Sequence, residues 1–423
     1  MNPLVRRLLW IAGSLVAVIL VAIIAVVLYV HSAWDTPHDR PVVSLKASTD
    51  PLAVARGEYL FKYGHACWGC HSPKPDAAVP PSGGRAFDLR SVGPGFGIFY
   101  ARNITPDPET GIGAWSDGEI VRALREGLSR DGTVLFPIMP IEAFHGLSDE
   151  DALAIVSYLR SLPPIRNAPS RSELSFATKA LYTFGIIGPA PAITEPIVAP
   201  PRGKTVEYGR YLANYATGCM DCHTPRNLED GSFYRDSLFA GSTIRFGEDE
   251  ARPHVMAYAT NITPDPETGI GKWTEEQFLE AVRAGMRPDG TVLSTHMPYG
   301  YFGLMDEEDL GAIFLYLQSI KPFRRVTEPV WYSETYRNGV GLERGKAIFE
   351  ASCMLCHGED GKGAAPTKLS LAEIAPTFTD KMLIDFVTGG NVGLRMPAFG
   401  KTLSKEQILD VVAYIRSIQH DKP

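Results

Sequence analysis

The sequence has no cysteine to spare. All six lie in three C-x-x-C-H pentads, so none remains for a disulfide. It also lacks a surplus of positive charge: 41 Lys and Arg against 48 Asp and Glu give a net charge of −7. That excludes the basic footprint nucleic acid requires, and it argues against a broad electrostatic attachment to anionic lipid. Nothing encodes a dinucleotide fold, because the glycine-rich segments lack the strand–turn–helix setting of a phosphate loop. No persuasive nucleophile–base arrangement stands out. Convincing runs of alternating apolar and polar residues are missing too, which points to an all-α chain. What is abundant is glycine (40) and proline (33), which predict much ordered loop.

The first thirty residues are a different material. Leu8 to Val30 are 23 residues without a charge, enough to cross a bilayer core as a helix. Arg6 and Arg7 precede them, so the N-terminus is expected in the cytoplasm and residues 31–423 outside. Residues 1–31 are read as a retained anchor crossing the inner membrane once, with the rest on the periplasmic side. A cleaved signal peptide is the alternative. Its apolar core would be about 7–15 residues before an A-x-A-like site, and "YVHSAW" matches that poorly.

The pentads are Cys67-Trp-Gly-Cys70-His71, Cys219-Met-Asp-Cys222-His223 and Cys353-Met-Leu-Cys356-His357. This is the attachment signature of c-type haem. Two thiols add across the vinyl groups of one porphyrin, and the following histidine lies under the iron as proximal ligand. A zinc site or a thioredoxin-like pair explains one C-x-x-C, but neither requires a histidine after it three times. The expectation is three covalently bound haems c, one per pentad.

An electron carrier normally fills the sixth iron position, often with methionine, which raises the potential. "DGTVLFPIMP" places Met139, and "DGTVLSTHMP" places Met297, each 36 residues after the start of a repeated loop. "NVGLRMPAFG" adds Met396. Core packing is the usual role of a lone methionine, but three Met-Pro pairs in matching places point to axial ligands. His296 is a rival for the second iron; the first repeat has Ile138 there.

The repeated loop is "NITPDPETGIGAW", Asn103 to Trp115, and "NITPDPETGIGKW", Asn261 to Trp273. It is expected to wrap a haem edge, its Asn, Thr and backbone N–H groups bonding propionates or neighbours of the axial ligand, with Trp115 and Trp273 on the ring. A calcium loop would need denser carboxylates, and the Asn-Ile-Thr sequon is a possible glycan acceptor in a secretory cell. Each pentad follows a glycine-containing helical approach. Each methionine precedes an amphipathic helix carrying Tyr158, Tyr316 or Tyr414, with Ser148 and Ser404 as N-caps. The domains read as 50–164, 203–322 and 341–420, joined by a proline-rich linker at 165–202 and a shorter one at 323–340. Within the first linker, the apolar "SFATKALYTFGIIGPAPAIT" is read as a strap across domains, with a membrane-surface contact as the alternative.

Three pentads, a duplicated loop and Met-Pro pairs resemble the three-haem cytochrome c subunit of bacterial membrane-bound alcohol, gluconate, sorbitol and aldehyde dehydrogenases, over roughly residues 50–420. The resemblance implies three tandem class I cytochrome c-like domains after the N-terminal transmembrane helix. It implies a catalytic dehydrogenase subunit with a quinone, flavin or molybdenum cofactor as partner, and ubiquinone or another carrier as acceptor. Many such subunits resemble a cleaved-signal form, whereas this chain looks anchored. Two other functions compete: a free-standing tethered carrier serving a terminal oxidase, and a multihaem oxidoreductase in its own right. The second would need an open iron position or a spare cysteine ligand.

Overall fold

In the computed structural model the N-terminal apolar run is one helix, α1 (Pro3–Ala33), opened by Pro3 and by the Asn2 side chain accepting from the Leu4 amide. Of its residues only Val30 is buried, so the chain offers α1 almost no covering of its own. The structure describes residues 2–418 except 75, 91, 228–230, 245, 247, 250–251, 290–292, 328–330, 333–339, 364–369, 372–379 and 392–395. Parts of the expected 323–340 linker and of the segment leading to Met396 therefore lie outside the described residues. The chain divides into two compact units: Met1–Pro201 with Tyr211–Asp221, and Arg202–Arg210 with Cys222–Pro423.

In the first unit α2 (Pro51–Tyr59) is capped by Asp50 and runs into a π-helical turn, Leu60–Gly64. Then come the pentad helix α3 (Trp68–His71), α4 (Asp117–Glu126), α5 (Ile141–Phe144), α6 (Asp149–Ser161) and α7 (Phe176–Thr183). Helix α4 starts at a reciprocal capping box of Ser116 and Glu119 and stops at Gly127, whose φ of 69° lets the backbone turn out of the helix. Ser148 caps α6, as expected, by accepting from the Asp151 amide.

The second π-helical turn, Leu212–Ala216, follows α8 (Val206–Tyr211) and leads to the pentad helix α9 (Cys219–His223). Next are α10 (Glu275–Ala284), α11 (Tyr299–Phe302) and α12 (Glu307–Ser319). The last part of the second unit holds α13 (Val340–Ser352), the pentad helix α14 (Met354–His357), α15 (Asp380–Gly389) and α16 (Lys405–Ser417). Ser404 and Gln407 form the expected capping box of α16.

The all-α reading needs one addition. Among the described residues two small antiparallel sheets occur, one of Ala86–Asp88, Gly97–Tyr100 and Glu173–Leu174, the other of Glu248–Asp249, Arg252–Met256 and Trp331–Tyr332. Strands of two to five residues are too short to display an alternation in sequence. Two strands of each sheet lie between pentad and methionine, which accounts for part of the 68- and 74-residue His-to-Met separations against 39 in the third copy.

One crossing recurs three times. A Cβ on Gly57 of α2 would stand 1.8 Å from the Ala154 carbonyl oxygen of α6. On Gly209 of α8 it would stand 1.8 Å from that of Ala312 in α12, and on Gly345 of α13, 2.0 Å from that of Asp410 in α16. Each approach helix thus lies backbone to backbone on the tyrosine helix of its own copy. Rings fill the adjacent space: Phe61 packs on Tyr158 and Phe349 on Tyr414, both at 5.2 Å between centroids. In the middle copy Ala213 takes the place of those phenylalanines, and Phe239 packs on Tyr316 at 5.8 Å instead.

Candidate functional site

Each pentad ends on a short helix that carries its histidine. The Nδ1 of His71 lies 2.9 Å from the Arg102 carbonyl oxygen, and that of His223 lies 2.7 Å from the Thr260 carbonyl oxygen. A carbonyl only accepts, so Nδ1 carries the proton and Nε2 keeps its lone pair. Burial pushes both imidazoles below their ordinary pKa, the carbonyl bond partly offsetting this. A neutral ring with a fixed tautomer is what an iron ligand has to be, and such outer partners orient it.

The thiols tell against the alternatives. Burial raises Cys67 to about 12 and Cys353 to about 11, and also lifts Cys70 and Cys219. A redox dithiol needs the opposite shift, because the thiolate is the nucleophile. None of the six forms a disulfide. Among the described residues no three His, Cys, Asp or Glu stand together as a metal-ion cluster.

The repeated loop is built around two side chains. Asn103 Nδ2 donates to the Ile165 and Asn167 carbonyls and to Thr110 Oγ1, while its Oδ1 accepts from the Thr105 amide and hydroxyl. Asp107 Oδ1 accepts from the Glu109 and Thr110 amides and the Thr110 hydroxyl. Asn261 and Asp265 repeat this pattern, with Phe323 and Arg325 supplying the carbonyls. The loop thereby clamps the chain that leaves the tyrosine helix. Arg160 of α6 reaches back to the Ile112 and Trp115 carbonyls, and Gln318 of α12 to that of Ile270.

The polar side chains expected to reach haem propionates are thus spent within the loop and on the chain it grips. Contact with the axial-ligand neighbourhood falls to Arg102 and Thr260, the residues just before each copy. Asn103→Ala or Asn261→Ala leaves a buried Thr amide without its acceptor and leaves the Ile165 or Phe323 carbonyl only the threonine hydroxyl as donor, an expected loss of about 2–3 kcal/mol. Denaturant unfolding of the haem-loaded chain measures it.

The Asp107 and Asp265 carboxylates are held below the usual range, first by the Thr110 and Thr268 hydroxyls and then by the amides. Their contribution is therefore fully present above the unfolded carboxylate value of about 4 and is lost as pH falls through the lower folded value. The Thr110 and Thr268 amides should lose exchange protection on acidification in that window. Asp107→Asn and Asp265→Asn should flatten the response.

The first two Met-Pro pairs sit in the same turn. The Met139 amide donates to the Phe136 carbonyl and the Met297 amide to that of Ser294, at 3.3 and 3.0 Å. Both methionine carbonyls accept from the residue after the proline at 2.7 Å. Met139, Met297 and Met396 are each half-buried. Met396 exchanges backbone bonds with Asn391 and packs, like Cys353, on the cluster of Phe349, Leu383, Val387 and Val411. The rival His296 stacks on Phe246 at 5.7 Å, its Nδ1 2.8 Å from Ser294 Oγ.

Sequence reading missed His65, two residues before Cys67. Its ring lies 4.3 Å from Phe144 of α5, and Nε2 is 2.7 Å from the Tyr215 carbonyl on the approach to the second pentad. Burial lowers its pKa to about 4, so it is a neutral donor to that carbonyl. Nearby, Arg56 forms a buried two-point pair with Asp151 at 2.8 and 2.9 Å. The Tyr211 hydroxyl donates to the same carboxylate at 2.8 Å. His65 and Tyr211 thus fasten Tyr211–Asp221 into the first unit. Their signal in sequence is weak: a histidine and a tyrosine near pentads, without fixed spacing.

The pentads fit covalently held haem: two thiols and a histidine on one short helix, and, in the first two, a neutral ring held by Nδ1 with Nε2 unspent. Residues 54–163 match the family described as Cytochrome c, and residues 341–415 that described as Cytochrome C oxidase, cbb3-type, subunit III. The chain is 29% identical over 387 residues to the gluconate 2-dehydrogenase cytochrome c subunit of Pantoea cypripedii, covering 86% of this chain and 85% of that one. It is 27% identical over 419 residues to the fructose dehydrogenase cytochrome subunit of Gluconobacter japonicus, covering 89% and 82%. To a "Diheme cytochrome c-type" protein of Cereibacter sphaeroides it is 30% identical over 277 residues, covering 63% and 86%.

Proposed function

Because this chain belongs to the c-type cytochrome family that includes the cytochrome c subunits of gluconate and fructose dehydrogenases, we propose that it is a membrane-attached electron-transfer subunit. It takes electrons from a catalytic dehydrogenase subunit carrying a quinone, flavin or molybdenum cofactor, and passes them to ubiquinone or another respiratory carrier. It is built as three tandem class I cytochrome c-like domains, 50–164, 203–322 and 341–420, behind a single N-terminal pass. These domains face the periplasm from the inner membrane.

Three haems c are held by Cys67 and Cys70, Cys219 and Cys222, and Cys353 and Cys356. When bound, each supplies one-electron Fe(III)/Fe(II) exchange. The chain's own residues do the rest. His71, His223 and His357 are the proximal ligands, and the Arg102 and Thr260 carbonyls fix the orientation of the first two. Met139, Met297 and Met396 would complete the ligand set of the iron and so keep water and substrate from it, which suits a carrier rather than a catalyst. The observation that carries this reading is the carbonyl-held neutral histidine found in two copies, each with a Met-Pro pair in the same turn.

A second reading rests on the match of residues 341–415 to an oxidase subunit family: a tethered carrier delivering electrons to a terminal oxidase. Purification from native membranes in mild detergent separates the two. A cofactor-bearing dehydrogenase recovered in equal amount, whose substrate reduces all three haems, is the result expected. Recovery alone, or with an oxidase only, overturns the dehydrogenase reading.

A further inference from the structure

The apolar segment after the first tyrosine helix is only partly used inside the first unit. Residues 190–197 run along it: the Ala190 amide donates to the Glu126 carbonyl, Arg40 donates to the Ala190 carbonyl, and the Ile197 carbonyl accepts from Asp149. The part before them is different. From Ser175 to Ile193 only Lys179 carries a charge, yet Phe176, Phe184 and Ile186 are 45%, 59% and 55% exposed.

The position of this segment decides what covers it. Helix α7 packs on the end of α1, with Phe176 5.9 Å from His31 and Tyr182 6.3 Å from Trp34 between ring centroids. Lys179 Nζ lies over the Trp34 ring, 5.4 Å from its centre. The uncharged stretch of α1 ends at Val30, and 23 residues at about 1.5 Å each exceed a hydrocarbon core of about 30 Å. A bilayer that holds α1 therefore ends at the level of His31 and Trp34, which is the level of α7. Aromatic rings and a lysine with a long apolar stem are the side chains that settle at that depth.

We propose that residues 175–187 are a second membrane contact, a short helix and turn lying in the outer headgroup region of the bilayer beside the exit of α1. This rests on the reading of α1 as a membrane span. The segment does not cross. Gly185, at a φ of 72°, folds the chain back so that the Ile186 and Ile187 amides donate to the Leu181 carbonyl, keeping Phe184 and Ile186 beside the helix. The contact is joined to the first haem-attachment unit. Thr178 Oγ1 and the Ser175 amide donate to the Phe96 carbonyl, at 2.7 and 3.1 Å. Phe96 packs on Phe136, whose carbonyl accepts from Met139. The interfacial helix thus fixes the Met139 side of that unit relative to the membrane surface.

The test uses the full haem-loaded chain in vesicles of phosphatidylethanolamine and phosphatidylglycerol. Phe184→Cys and Ile186→Cys each carry a nitroxide label, with Leu20→Cys in α1 as the lipid reference and Leu52→Cys, 80% exposed as Leu52, as the water reference. The unsubstituted chain checks that no native cysteine takes the label, and the haem absorption spectrum checks folding. Collision with oxygen against a water-soluble nickel chelate reports depth. The expected result is a depth of about 5–10 Å at both 184 and 186, between the two references. Labels at 184 and 186 that match Leu52→Cys, while Leu20→Cys reads as lipid, overturn the contact and leave the span standing. A watery Leu20→Cys overturns both.

Discussion

With the ligands proposed above, replacing Met139 with histidine is expected to lower one midpoint potential by on the order of 0.1 V, a fraction of the roughly 0.8 V that axial ligands command. The number of covalent haems should not change, because Cys67, Cys70 and His71 are untouched. The direction follows from ligand chemistry: a thioether favours the ferrous state more than an imidazole does, so the Met/His set lies high in the range. Met139 suits the exchange because its turn is held by backbone bonds to Phe136 and from Ile141 rather than by its side chain. Spectroelectrochemical titration of the purified chain reads the shift directly. Three unchanged potentials would remove Met139 from the iron. In the second copy, Met297→Leu and His296→Leu form the matching pair, and only the true ligand should alter a potential and the spectrum.

The largest expected effect on stability comes from Gly209→Ala. The added methyl carbon would stand 1.8 Å from the Ala312 carbonyl oxygen and 3.0 Å from the Tyr316 Cβ. Neither neighbour is the free end of a flexible side chain. The two helices have to separate, which opens α12 where Leu310 and Leu317 are buried. Overpacking in a closed core commonly costs about 1–3 kcal/mol, and a backbone contact this short places the variant at about 3 kcal/mol or beyond. Gly389→Ala, where no atom lies within 4 Å, is the control, expected neutral or slightly stabilising in its helix. Urea unfolding followed by haem absorbance compares them. Equal stabilities would mean that the crossing is looser than its geometry.

The uneven legibility of the sequence has a physical basis. Helix α1, the caps at Ser148 and Ser404 and the tyrosine helices were readable because apolar periodicity and capping chemistry are local. The pentads were readable because covalent attachment demands fixed spacing. The repeated loop announced that it mattered, but not how. Its Asn and Asp side chains turn inward, and the atom beside the histidine is a main-chain oxygen, for which Arg102 and Thr260 carry no common side-chain mark. The glycine crossing was half visible: a glycine on each approach helix was evident, but its partner lies roughly a hundred, or about 65, residues away. His65 and Tyr211 were hidden because their partners are a backbone carbonyl and an already paired carboxylate.

The fastening of Tyr211–Asp221 into the first unit bears on how the chain is made. Synthesis delivers it from the N-terminus onward, so the first unit cannot close until residues some fifty positions beyond its last long helix, α6, have been added. A gene fragment ending at residue 164 would deprive Asp151 of the Tyr211 hydroxyl and His65 of its Tyr215 carbonyl. One extended to residue 221 would sever the second pentad between its cysteines. A fragment carrying the first pentad alone therefore gives up two buried hydrogen bonds, those that hold His65 and Asp151.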